Sequence, residues 1–100
     1  MHWDLEVFLH SYAGLVLINL WEQDCPASRS MEQLMRDIEG SERITILGLP
    51  LSDYRDWAQT HGIHGTPALI AYYQGRPLFR LIGRVTPAEL FQRLQDYHGI

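Results

Sequence analysis

Six consecutive residues, Leu15-Val16-Leu17-Ile18-Asn19-Leu20, are apolar at every position but one and show no alternation of polar and apolar. A strand of that kind must bury both of its faces, so it belongs in a sheet covered by helices on two sides rather than in a sandwich with one wet face. The flanking periodicities agree. Leu5, Phe8, Leu9 and Tyr12 recur at the spacing of one helical face before the run. After it, Met31, Leu34, Met35 and Ile38 form the stripe of a helix from Cys25 or Pro26 to Glu39, with Pro26 in the first turn, where its missing N–H costs nothing, and Gly40 as a stop. Ile44 to Leu49 reads as a second buried strand. Ser52 is expected to cap a helix that ends near His61-Gly62, with Tyr54, Trp57 and Ala58 inward. Ala68–Tyr73 and Pro77–Ile82 read as a hairpin around Gln74-Gly75-Arg76. Thr86-Pro87-Ala88-Glu89 is a capping box that opens a last helix packing Leu90, Phe91, Leu94 and Tyr97. The order αβαβαββα predicts an α/β sandwich with a mixed four-stranded sheet, and 100 residues without a repeat or linker predict one domain over residues 1–100.

Composition removes several function classes. The net charge is −4, and all eight basic residues are scattered arginines, so no stripe exists to neutralise phosphates and nucleic acid is not an expected partner. With no lysine in the chain, lysine Schiff-base chemistry is excluded. Histidines at 2, 10, 61, 64 and 98 make no metal-finger spacing with cysteine, and no metal is expected. No apolar run is long enough to cross a bilayer. Met1–Glu6 lacks the basic start and apolar core of a secretory signal, which sets the expectation of a cytoplasmic protein. A single cysteine, unable to form an internal disulfide, fits that reducing setting.

That cysteine lies in Trp21-Glu22-Gln23-Asp24-Cys25-Pro26-Ala27-Ser28, where the buried strand gives way to a helix. A helix start presents unpaired N–H groups and a positive dipole end, which favour thiolate over thiol, so Cys25 is a nucleophile candidate. An unperturbed thiol is only about 3% ionised at neutral pH. The Ser28 hydroxyl is placed to donate to the sulfur, Asp24 to oppose ionisation, and Arg29 to offset Asp24.

Trp21-x-x-x-Cys25-Pro26-x-Ser28, followed by Gly62-Ile63-His64-Gly65-Thr66-Pro67, with Gln74-Gly75 at the hairpin and Gly83 after the last strand, resembles the thioredoxin family over nearly the whole chain. The first pattern is similar to that family's W-x-x-x-C-x-x-C site with its last cysteine replaced by Ser28. The second is similar to its cis-proline segment, and Pro67 falls 42 positions beyond Cys25. The resemblance implies a cis Thr66–Pro67 bond beside Cys25, a Thr66 backbone that pairs with an extended substrate, and Trp21 packed under the site. Trp21, Pro26, Thr66 and Pro67 are thus the expected substrate-binding residues, and Cys25 and Ser28 the expected catalytic pair. Asn19 stands at the position of the family's buried acid. Serine does not resolve a mixed disulfide and an amide does not shuttle a proton, so the machinery of release is absent. The implied function is monothiol thiol–disulfide exchange on a protein or small-molecule disulfide, without a bound cofactor and with glutathione as external thiol. The alternative is a redox-inactive chaperone or assembly factor that keeps only the peptide groove. The family's first strand is short or missing here, which leaves strand 44–49 at a sheet edge and points to a homodimer through it.

Overall fold

The computed structural model describes residues 4–39 and 44–96. The expectations attached to Met1–Trp3, Gly40, Tyr97 and His98 lie outside them. The elements are α1 (Leu5–Ser11), β1 (Leu15–Trp21), α2 (Pro26–Glu39), β2 (Ile44–Pro50), a 3-10 turn (Leu51–Asp53), α3 (Arg55–Thr60), β3 (Ala68–Tyr73), β4 (Arg76–Ile82) and α4 (Pro87–Asp96). The sheet runs β2-β1-β3-β4. β1 pairs parallel with β2, from Leu15 opposite Ile44 to Trp21 opposite Pro50, and antiparallel with β3; β3 and β4 are antiparallel. The one parallel pair needs a crossover, and α2 supplies it.

Val16, Leu17, Ile18 and Leu20 are all at or below 1% exposure, which makes β1 the doubly covered strand its composition requires. Alternation divides its side chains between two cores. Val16, Ile18 and Leu20 join Leu5 and Leu9 of α1, Ala58 of α3, and Leu51 and Ile63. Leu17 joins Met31, Met35 and Ile38 of α2 and Leu90 and Leu94 of α4. Each such side chain contributes roughly 1.5–3 kcal/mol on burial, so this one strand anchors both layers.

Asp4 caps α1, its carboxylate accepting from the Glu6 and Val7 amides at 3.0 and 3.3 Å. Three local expectations are corrected. Ser52 does not cap α3: it is exposed within the 3-10 turn, and α3 begins at Arg55 after Tyr54, which makes no side-chain cap bond. The turn arises because Leu51, directly after Pro50, must reach the core, where it is 1% exposed. Phe91 is exposed rather than inward, since Leu90 and Leu94 already take the buried stripe of α4. Strand β2 is only half-buried along Ile44–Leu47, as an edge strand among the described residues should be.

The β3–β4 hairpin turns on Gln74 (φ 52°) and Gly75 (φ 81°), two consecutive residues of positive φ that match the right-handed twist of the strands. Pro77, which cannot donate a ladder bond, sits on the outer strand β4 next to an irregularity opposite Ala71 and Tyr72. Among the described residues, no helix is long and apolar enough to cross a membrane.

Candidate active site

The connector from β1 to α2 brings Cys25 to the head of α2, with Pro26 as first helical residue. The Cys25 carbonyl accepts the Ser28 and Arg29 amides at 3.0 and 3.4 Å, the bonding of an N-cap residue. At that position a side-chain acceptor meets the N–H groups of the second and third helical residues, here Ala27 and Ser28. The pKa of Cys25 is lowered accordingly. The largest cause is a hydrogen bond from the Ser28 side chain, then one from the Ser28 backbone, whose N–H is shared with the Cys25 carbonyl; the Ala27 backbone adds to it, and partial burial opposes it. The charges of Asp24 and Arg29, which sequence alone sets against each other, are not among the causes. Hydrogen bonds, the Ser28 hydroxyl first and the helix-start amides after it, tune this thiol rather than side-chain charge.

Ser28 is 3% exposed on the inner face of α2. Its Oγ accepts the Glu22 amide at 3.4 Å, which leaves its own proton for the sulfur. The Thr66–Pro67 peptide is cis, and Pro67 is buried. The Cys25 Sγ lies 4.0 Å from the Thr66 carbonyl oxygen, so the nucleophile and the proline loop, 41 positions apart, share one surface. The Pro67 carbonyl is held by the Gly83 amide at 2.9 Å, which ties this loop to the end of β4. Trp21 is half-buried at the end of β1, its indole lying over Gly48 of β2, where a side chain would be in ordinary contact with the ring. Pro26 is exposed beside Cys25.

Asn19 is 3% exposed, and its Oδ1 is buried without a hydrogen-bond partner among the described residues. It lies opposite Leu69, a residue of the α2/α4 core, so its side chain occupies the layer that also holds Ser28.

Glu22 is the residue whose role sequence reasoning did not single out. Its carbonyl accepts the Cys25 amide at 3.4 Å, its amide donates to Ser28, and its Oε1 accepts the Thr66 hydroxyl at 2.6 Å. It therefore binds the cysteine loop to the proline loop. The available signal was a carboxylate inside the connector, which without the fold reads as a solvated loop residue.

A family model described as a thioredoxin-like domain matches residues 3–98. This chain belongs to the thioredoxin-like family. Among solved structures, it is similar to a mutant thioredoxin from Halobacterium salinarum NRC-1, with a TM-score of 0.78 and 15% identity over 85% of this chain and 75% of that one. It is also similar to a malarial protein, with a TM-score of 0.73 and 16% identity over 83% of this chain and 96% of that one. At those identities the likeness is one of fold. No curated protein matches the chain. This thioredoxin-like chain carries Cys-Pro-Ala-Ser at the head of α2, with a single thiol.

Proposed function

We propose that this thioredoxin-like protein performs monothiol thiol–disulfide exchange through Cys25. The observation that carries the reading is a capped, pKa-lowered thiol 4.0 Å from the backbone oxygen of the residue before the cis-proline. The Cys25 thiolate attacks one sulfur of a substrate disulfide: a Cys25–substrate S–S bond forms, the original S–S bond breaks, and the departing thiolate takes a proton from water. The Thr66 backbone aligns an extended substrate segment as an added strand, with Trp21, Pro26 and Pro67 as its walls. Ser28 stabilises the thiolate before attack and again when Cys25 leaves. It cannot displace the substrate, and the Asn19 amide relays no proton to help. The mixed disulfide persists until an external thiolate such as glutathione attacks the substrate sulfur, forming a new disulfide and returning Cys25 to the thiolate. That dependence suits a reducing compartment such as the cytoplasm.

The test is the rate of Cys25 alkylation against pH. An inflection below the ordinary ~8.5 is expected, and Ser28→Ala should move it upward because it removes the largest lowering cause. Incubation with oxidised glutathione should add one glutathione per chain by mass spectrometry. Slow labelling that rises only at the ordinary pH would overturn the exchange reading in favour of a peptide-binding module without redox chemistry.

A further inference from the structure

We infer that Trp21 and Glu22 form a subsite for a cationic group of the substrate, so that the disulfides preferred by Cys25 carry an ammonium or guanidinium near the sulfur. The inference rests on the exchange reading above and adds the chemical class of the substrate.

A depression of about 270 Å³ beside the connector is lined by Trp21, Glu22, Gln23, Pro50 and Ser52. Glu22 is its sole charged lining residue, and Trp21 its aromatic one. An indole face with a carboxylate next to it is a cation-binding pair, because the ring quadrupole and the anion attract the same charge. The carboxylate does not swing freely: the Thr66 hydroxyl fixes Oε1, and the Glu22 backbone is bonded on both sides, to Cys25 and to Ser28. Glu22 is exposed, and no cation of the described residues pairs with it. Through Thr66, which touches both groups, the carboxylate and the Cys25 sulfur lie within about one Debye length, ~10 Å at 0.1 M salt.

A second, smaller depression of about 140 Å³ shares Trp21, Glu22 and Gln23 and adds Ser28, Arg29 and Glu32. There Glu32 is paired with Arg36 at 2.7 Å, and Arg29 is a basic lining residue beside Glu22. No basic residue lines the larger depression. Asp24, exposed and next to Cys25 in the chain, adds a second negative charge near the sulfur. A dianionic disulfide therefore meets repulsion where a dication meets attraction.

The experiment compares the rates at which Cys25 reacts with cystamine, hydroxyethyl disulfide and dithiodipropionate, which are cationic, neutral and anionic. Each rate is divided by that of a short neutral cysteine peptide under the same conditions. The expected normalised order is cationic, neutral, anionic, with roughly a fivefold step for one charge at contact distance in water. Glu22→Gln, whose amide oxygen still accepts the Thr66 hydroxyl, should bring cationic and neutral rates within about twofold, as should ~1 M salt, where the Debye length falls to ~3 Å. Rates above the peptide's but without charge order, or an anionic preference, would overturn the subsite and leave the exchange reading standing. A second measurement does not depend on the thiol. In Cys25→Ser, N-acetyl-argininamide should shift the Trp21 indole N–H resonance saturably, its uncharged citrulline counterpart should not, and adding Glu22→Gln should abolish the shift. No shift with the arginine probe would overturn the subsite whatever Cys25 does; a shift from a protein whose thiol is unreactive would retain the subsite and remove the exchange reading.

Discussion

Cys25 behaves as a capping side chain that happens to be a nucleophile. It stands where a serine or aspartate side chain stands at other helix starts, and the Ser28 hydroxyl first, then the Ser28 and Ala27 amides, rather than the flanking charges, lower its pKa. Replacing Ser28 by cysteine supplies a second thiol at the buried inner face of α2. We expect Ser28→Cys to turn over a protein disulfide with dithiothreitol as reductant, where the parent chain stops at the adduct. A variant that also stops at the adduct would make Asn19 the limiting residue. Cys25 at a helix head and Ser28 three places on were legible in the sequence from local spacing, and Asn19 and Pro67 were singled out by the resemblance to the thioredoxin family. Glu22 was not, because its meaning depends on a hydroxyl 44 positions away.

At the scale of elements, helix ends show how local chemistry and packing divide the work. Half of the expected Thr86–Glu89 capping box forms: the Glu89 amide donates to Thr86 Oγ at 3.1 Å, while the Glu89 carboxylate accepts the Thr86 hydroxyl at 3.2 Å rather than the Thr86 amide. The α3 terminus was also readable. The Gly62 amide bonds the Gln59 carbonyl at 3.0 Å, the Ile63 amide bonds Ala58 at 2.9 Å, and Ile63 is fully buried, a Schellman ending with its hydrophobic contact. Gly62 has φ +74°, and a Cβ there would come within 2.6 Å of the Arg80 guanidinium, which bonds the His61 carbonyl. Gly62→Ala should therefore cost about 1–2 kcal/mol for the left-handed backbone alone, read as a lower midpoint in chemical denaturation. An unchanged midpoint would contradict the strain argument. The α3 start was not readable, because Leu51 obeys a core that only the fold assembles.

Across the whole molecule, one polar cluster joins elements far apart in sequence. The Trp57 indole N–H donates to Glu6 of α1, the Tyr72 hydroxyl of β3 bonds His61 Nε2 at 2.9 Å, and Arg80 of β4 donates to the His61 carbonyl at 2.6 Å. Burial, the largest cause, and Arg80 hold the His61 pKa below its ordinary value, while Glu6 opposes them. Burial, reinforced by Glu6, pushes Tyr72 up to about 12. Folding stability then falls at both ends of the pH scale. As pH drops below ~6.5, the unfolded chain takes up a proton at His61 that the folded chain resists. As pH climbs from ~10 towards 12, the unfolded chain releases the Tyr72 proton that the folded chain keeps. Denaturation midpoints measured between pH 5 and 7 should decline on the acid side, and less steeply in His61→Gln. Equal slopes in the two proteins would remove His61 from the account.

The sequence by itself determined the fold class, the order of elements, the central place of β1 and the nucleophile's position at a helix head. These follow from periodicity, capping residues and spacing, all of which are local in the chain. Only the tertiary structure decided what sets the thiol's ionisation, where Glu22 points, which face of α4 is wet and which residues make the second polar cluster. Those depend on groups tens of positions apart meeting within hydrogen-bond distance, and a hydrogen bond, unlike a hydrophobic stripe, leaves no period to read.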